Sequence, residues 1–231
     1  MENLLSRSSP LREAGGTLPA ILPKKNRKMN TEKDQNKLKE LNKFLLVVSA
    51  EIIKAGNYSF HNFDLYILSI INRTISLNKA FILLIENENS LTAISIVRLQ
   101  LDNALRLYAS QIVENPEDFL TYFFEGNPIN EYKINKQNLT DSFLAKELNK
   151  KNPGAFELYK YLCNYVHFSE KHFEATKTDS QNENALFRIV IGNSDVLKKK
   201  EKKEFYERIT SISNTIVKIS REWLDTKINL K

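Results

Sequence analysis

From Phe205 to the end of the chain, Phe205, Ile209, Ile212, Ile216, Ile219 and Trp223 recur at helical spacing. A stripe of that length is stable in water only when other elements cover it. The rest of the chain offers helices to do so. Only six glycines and six prolines occur in 231 residues, too few for the turns of an all-β fold, while Leu, Ile, Lys, Glu and Asn abound. The length lies within reach of one hydrophobic core. The composition and spacing therefore predict a mainly α fold: a single bundle of about six to seven helices.

The first 28 residues hold Ser-Ser-Pro, Gly-Gly and the basic Lys24-Lys25-Asn26-Arg27-Lys28, with no apolar periodicity. They read as a disordered extension, with Met29 opening the helical domain over 29–231. A weak capping box at Thr31 and Asp34 predicts a first helix over 31–56, ending at Gly56. The second, over 62–86, is long enough to cross a bilayer. Asn72, Arg73, Asn78 and Lys79 interrupt it midway, which points to a buried helix and no membrane. A third runs over 90–113 and stops before Asn115-Pro116, where a short fourth begins. After a polar connection over 125–139, helices are predicted from Thr140 to Asn149 and over 153–168. Phe173-Glu174-Ala175-Thr176 and Leu186 to Ile191 read as a small β-hairpin insertion near 172–191. Ser194 or Asp195 is expected to cap the last helix, over 195–226.

The net charge of +6 invites a nucleic-acid reading, yet its distribution weakens it. Residues 1–40 hold nine basic and five acidic side chains, which leaves 25 and 23 for the remainder. A nearly neutral body lacks the basic stripe that duplex binding needs, so sequence-specific DNA is disfavoured and RNA is the nucleic acid left open. The run Lys198, Lys199, Lys200, Lys202 and Lys203 is expected to be a solvated first turn. A single cysteine, Cys163, excludes an internal disulfide and fits a reducing cytoplasm.

Two helices carry chemistry. On the third, Ser95, Arg98, Asp102, Asn103, Arg106 and Ser110 share one arc. They read either as an exposed ion-pair ladder or as charges facing a cleft, where two arginines around one carboxylate suit a phosphate. On the helix near 160, Lys160, Asn164 and His167 follow i, i+4, i+7 spacing beside the apolar Phe156, Tyr159, Cys163 and Val166. His167 on the last turn is an acid or base candidate, or a residue that closes its helix. Cys163 with His167 and His172 is poorly spaced for a metal, and no cofactor is expected. Phosphate-loop, dinucleotide, zinc-protease and nucleophile-elbow motifs are absent.

The segments Val97-Arg98-Leu99-Gln100-Leu101-Asp102 and Tyr161-Leu162-Cys163-Asn164-Tyr165-Val166-His167, within a helical bundle over about 38–225, resemble the HEPN-like helical domains of prokaryotic defence and toxin systems. The resemblance implies frequent dimerisation and, in active members, metal-independent RNA cleavage in a bacterial cytoplasm, phage defence included. Those members carry an arginine followed four to six residues later by histidine. Here the nearest basic residue before His167 is Lys160, so the arginine would be Arg98. In an active site of that kind His167 is the acid or base, Arg98 holds phosphate, and Asp102 with Asn164 orients them. Lys160 or Arg106 adds potential and Tyr161 or Tyr165 stacks a base. The family's other mode is a non-catalytic interaction or regulatory module, with a second copy or another protein as partner.

Overall fold

The computed structural model describes residues 32–178, 188–192 and 194–229. The expected extension over 1–28 lies outside them. Among the described residues the chain forms eight α-helices and two small antiparallel hairpins, one helix more than the upper expectation. In order, α1 (Glu32–Ala55), α2 (Asn62–Glu86), α3 (Ser90–Ile112) and α4 (Pro116–Phe124) fall where the apolar spacing places them. A 3-10 turn (Ile129–Glu131) and the hairpin of β1 (Lys133–Ile134) and β2 (Gln137–Asn138) occupy the expected polar connection. Asn135 and Lys136 take φ values of 49° and 68°, the tight two-residue hairpin turn that asparagine tolerates. Next come α5 (Asp141–Lys151), α6 (Ala155–Val166), α7 (Glu170–Glu174), a second hairpin of β3 (Lys177–Thr178) and β4 (Arg188–Ile189), and α8 (Lys199–Asn229).

Several boundaries differ from expectation, two of them for reasons visible in the hydrogen bonds. Phe173 and Glu174 are helical, because the Ser169 hydroxyl accepts the Lys171 N–H and the Ser169 N–H donates to His172 Nδ1, a capping box that starts α7. The hairpin therefore begins only at Lys177. Helix α8 starts later than Asp195 because the preceding backbone is taken up elsewhere: the Ser90 hydroxyl accepts the N–H groups of Val196 and Leu197 at 2.8 and 3.1 Å. The Glu201 carboxylate then accepts the Lys198 N–H at 2.7 Å and caps the helix. Of the lysine run, Lys202 is buried against Asp195 at 2.6 Å, while Lys198, Lys199, Lys200 and Lys203 are exposed.

Helix α3 is the axis of the bundle, packed by α2, α4, α5, α6 and α8, while α1 closes the far side against α2 and α8. Val97, Leu101 and Leu105 of α3 meet Ile67 and Ile71 of α2 and Ile212 and Ile216 of α8 in one apolar cluster. By length and composition α2 passes for a membrane span. Its polar residues nevertheless have protein partners. The Asn78 amide donates to Asn42 at 2.8 Å, and its oxygen accepts from Ser213 at 3.0 Å and Gln100 at 3.4 Å, which ties α1, α2, α3 and α8 at one level. Asn103 donates to Thr74 and to the Ile70 carbonyl, so helix positions that would face lipid in a span are committed to the bundle.

Helix α1 gives way after Ala55 to a turn in which Asn57 and Tyr58 take positive φ, and nothing larger than glycine fits at position 56: an added Cβ would stand 2.3 Å from the Ser59 carbonyl and 2.8 Å from Lys227 Nζ. Gly56→Ala is expected to destabilise the protein by about 2 kcal/mol, read as a lower urea midpoint at unchanged slope.

Candidate functional site

The arc of polar residues on α3 is neither a solvated ladder nor an open cleft. Arg98 is 9% exposed and pairs with Asp141, the first residue of α5, at 2.7 Å. Arg106, two turns along α3, donates to the other Asp141 oxygen and also meets Asp102 at 3.2 Å. Asp102 in turn accepts from Arg73 of α2 at 3.1 Å. The result is an alternating chain, Arg73, Asp102, Arg106, Asp141, Arg98, that stitches α2, α3 and α5 together. Three guanidinium groups share two carboxylates, and Arg73, with 43% of its side chain exposed, brings the surplus charge to the surface. Arg98 is the deepest member. The Tyr159 ring covers its guanidinium at 4.8 Å. Burial alone would pull its pKa down, but the bond to Asp141 and the contact with Cys163 hold it above the ordinary arginine value.

Asp141 is missing from the expected residues. Its only sequence signal is its place after Thr140, whose hydroxyl accepts the Phe143 N–H at 3.3 Å. An acid there reads as a helix-dipole residue, with nothing to aim it at two arginines. Asp102 does not orient Arg98; its partners are Arg73 and Arg106.

Helix α6 closes two residues sooner than expected. His167 is its C-cap, with extended backbone at φ −96° and ψ 143°, so the imidazole leaves the face it was expected to share with Lys160 and Asn164. It is exposed, and among the described residues no hydrogen bond or ion pair joins it to Arg98. Lys160 and Asn164 are exposed as well. Lys160 lies over the Phe156 ring at 4.9 Å, and the Asn164 carbonyl accepts the Ser169 hydroxyl at 2.6 Å, which turns the chain into α7. The Tyr161 hydroxyl meets that of Tyr165 at 3.1 Å, on the side of α6 facing α8. The Ser95 hydroxyl donates to the Tyr165 carbonyl at 2.7 Å and fastens the end of α6 to the first turns of α3.

The expected residues thus divide into two groups. Arg98, Asp102 and Arg106 belong to the ion-pair ladder; Lys160, Asn164 and His167 are exposed on α6 and at its end, and Tyr161 sits on the side of α6 facing α8. Among the described residues no three His, Cys, Asp or Glu side chains gather as metal ligands, and His172 Nδ1 is occupied by the cap of α7.

A second charge site, fully buried, joins α2 to α8 with no pattern in the sequence to mark it. Asp64, fully buried in the first turn of α2, accepts the Trp223 indole N–H at 2.9 Å, the His61 backbone N–H at 2.9 Å, and Lys227 Nζ. Burial pushes its carboxyl up, but the bonds from Lys227, Trp223 and His61 outweigh it and hold the group below the usual carboxylate range. Trp223 and Lys227 stand four apart on α8, a spacing that fits their common target.

The chain matches no protein-family model, no curated protein and no solved structure.

Proposed function

We propose that this chain is a HEPN-like helical interaction module that pairs with a second copy of itself and works by binding. The observation that carries this is an uncovered apolar surface beyond the end of α6. Phe168 is 91% exposed and Ile191 83% exposed, and Val166, Phe173 and Ile189 beside them in sequence are also open to solvent. Pairing of β3 with β4, with the Val190 N–H donating to the Thr176 carbonyl at 2.9 Å, sets the second stretch beside the chain that follows α7. Large apolar side chains left open on adjoining segments are the kind that association surfaces use, and burying them in a dimer removes them from water. Light scattering on the full chain is expected to give twice 26.8 kDa, and the Phe168→Ser, Ile191→Ser double variant is expected to run as a monomer with unchanged helicity. A wild-type monomer at tens of micromolar concentration, on the order of the affinities such surfaces reach, overturns the reading.

One observation favours a second reading, metal-independent RNA cleavage. The Ser95–Tyr165 bond fixes the end of α6 on the helix that carries Arg98, and Arg98 touches Cys163, one turn before His167. Against it, the guanidinium that would hold phosphate is already matched by Asp141 and covered by Tyr159. Total RNA incubated in EDTA with wild type and His167→Ala separates the two. No cleavage by either is the expected result; cleavage by wild type that His167→Ala abolishes replaces binding with catalysis. Because His167 is exposed, its loss leaves the core intact.

A further inference from the structure

We propose that the groove between α3, α5, α6 and α8 is a binding site for a small organic anion: a phosphate or carboxylate head on an apolar or flat body. The groove has a volume of about 680 Å³, ordinary for small-molecule sites. Its floor is apolar, formed by Leu101, Ala104, Leu148, Leu158 and Ile212. Its rim is not. Arg208 of α8 sits over the Tyr161 ring at 5.4 Å and the Phe205 ring at 5.2 Å. Two aromatic faces thus position the guanidinium without using its N–H groups, and among the described residues it makes no ion pair or hydrogen bond. Among the described residues the two arginines of α3, by contrast, are neutralised: Arg98 and Arg106 both meet Asp141. Lys151, at the end of α5, is held in the same way, over the Tyr108 ring at 5.2 Å and without a carboxylate.

Two oriented cations therefore border an apolar floor, opposed by a single carboxylate, Glu157. A guanidinium fixed by stacking presents its planar fork to an oxyanion at little ordering cost. The Ser211 hydroxyl adds a donor on the same helix, while Thr215 is engaged, accepting from Asn152 at 3.4 Å and donating to the Ser211 carbonyl at 3.3 Å. The floor accepts the body by desolvation, the rim accepts the charge, and each part alone would bind weakly. The site is separate from the apolar surface beyond α6, so the dimer can fail with this site intact, or the reverse.

Calorimetry with adenosine 5′-monophosphate and, separately, dodecanoate tests the proposal on the full chain. One of the two is expected to bind one equivalent; the nucleotide identifies a flat body and the acyl chain an aliphatic one. Arg208→Gln is expected to weaken that binding about tenfold or more, the worth of a charged hydrogen bond. Ser211→Trp fills the groove mouth from an exposed position and is expected to abolish binding with the far-ultraviolet circular dichroism unchanged. Lys203→Gln, exposed on α8 outside the groove, serves as the control for nonspecific charge. Binding by neither probe below about 1 mM overturns the proposal, as does binding that Arg208→Gln and Ser211→Trp leave at wild-type strength.

Discussion

Asp64→Ala is expected to cost about 4 kcal/mol, the largest effect of any single substitution outside the apolar core. The alanine removes the carboxylate that satisfies three donors at once and leaves the Lys227 ammonium buried beside Trp223 with no counter-charge. It also removes the acid that receives the His61 N–H at the start of α2. Urea denaturation checks the size, and a second variant checks the cause. With Lys227→Met in the same chain, the stranded ammonium is gone, so the double variant is expected to be more stable than Asp64→Ala alone. A double variant less stable than either single one would place the energy in packing. The same carboxylate predicts an acid limb. Its folded-state pKa is depressed, so its contribution is complete above the ordinary aspartate value near 3.9 and is lost as pH falls through the folded value. Wild type is therefore expected to lose stability below about pH 4 more steeply than Asp64→Asn, whose side chain does not titrate.

Asp141→Ala is expected to cost about 3 kcal/mol, for a related reason with a different consequence. Arg98 and Arg106 would face the same vacancy, and Arg98, deep beneath Tyr159, cannot reach water without moving that ring. The partial exposure of Asp141 and Arg106 trims the cost below that of a fully buried pair. Because α5 joins the bundle through this carboxylate and through Leu144 and Leu148, loosening is expected to concentrate there. Hydrogen exchange should accelerate in α5 and α6 before α1 and α2. Uniform acceleration would show that the ladder supports the whole fold and not its α5 corner.

The two aspartates also mark where reading from sequence stops. The long helices are legible because burial imposes a 3.6-residue period on Leu, Ile and Phe, and Asn115-Pro116 or Gly56 ends each run by local sterics. A helix of five residues such as α7 has no period to detect; its signal is one serine and the residue three later, and Phe173 and Thr176 argued more loudly for a strand. Helix α8 begins at Lys199 because Ser90, more than a hundred positions earlier, claims the backbone of Val196 and Leu197, and nothing local to those residues reports it. Charge partners fail in the same way. Arg98, Asp102 and Arg106 stand at i+4 steps and look like mutual partners; Arg106 does keep Asp102, but for Arg98 a carboxylate from another helix at 2.7 Å outcompetes the neighbour along α3. For His167 the difference is smaller: two residues of helix length turn the imidazole from the expected face to the solvent.

The bonds made by Ser95 and Ser90 have an architectural consequence. One fastens the chain where it leaves the bundle after α6, and the other fastens it where it returns before α8, both on the opening turns of α3. Of the described residues between those two clasps, α7 and the β3–β4 pairing hang from the bundle at both ends, so substitutions in them are expected to leave the register of the helices beneath unchanged.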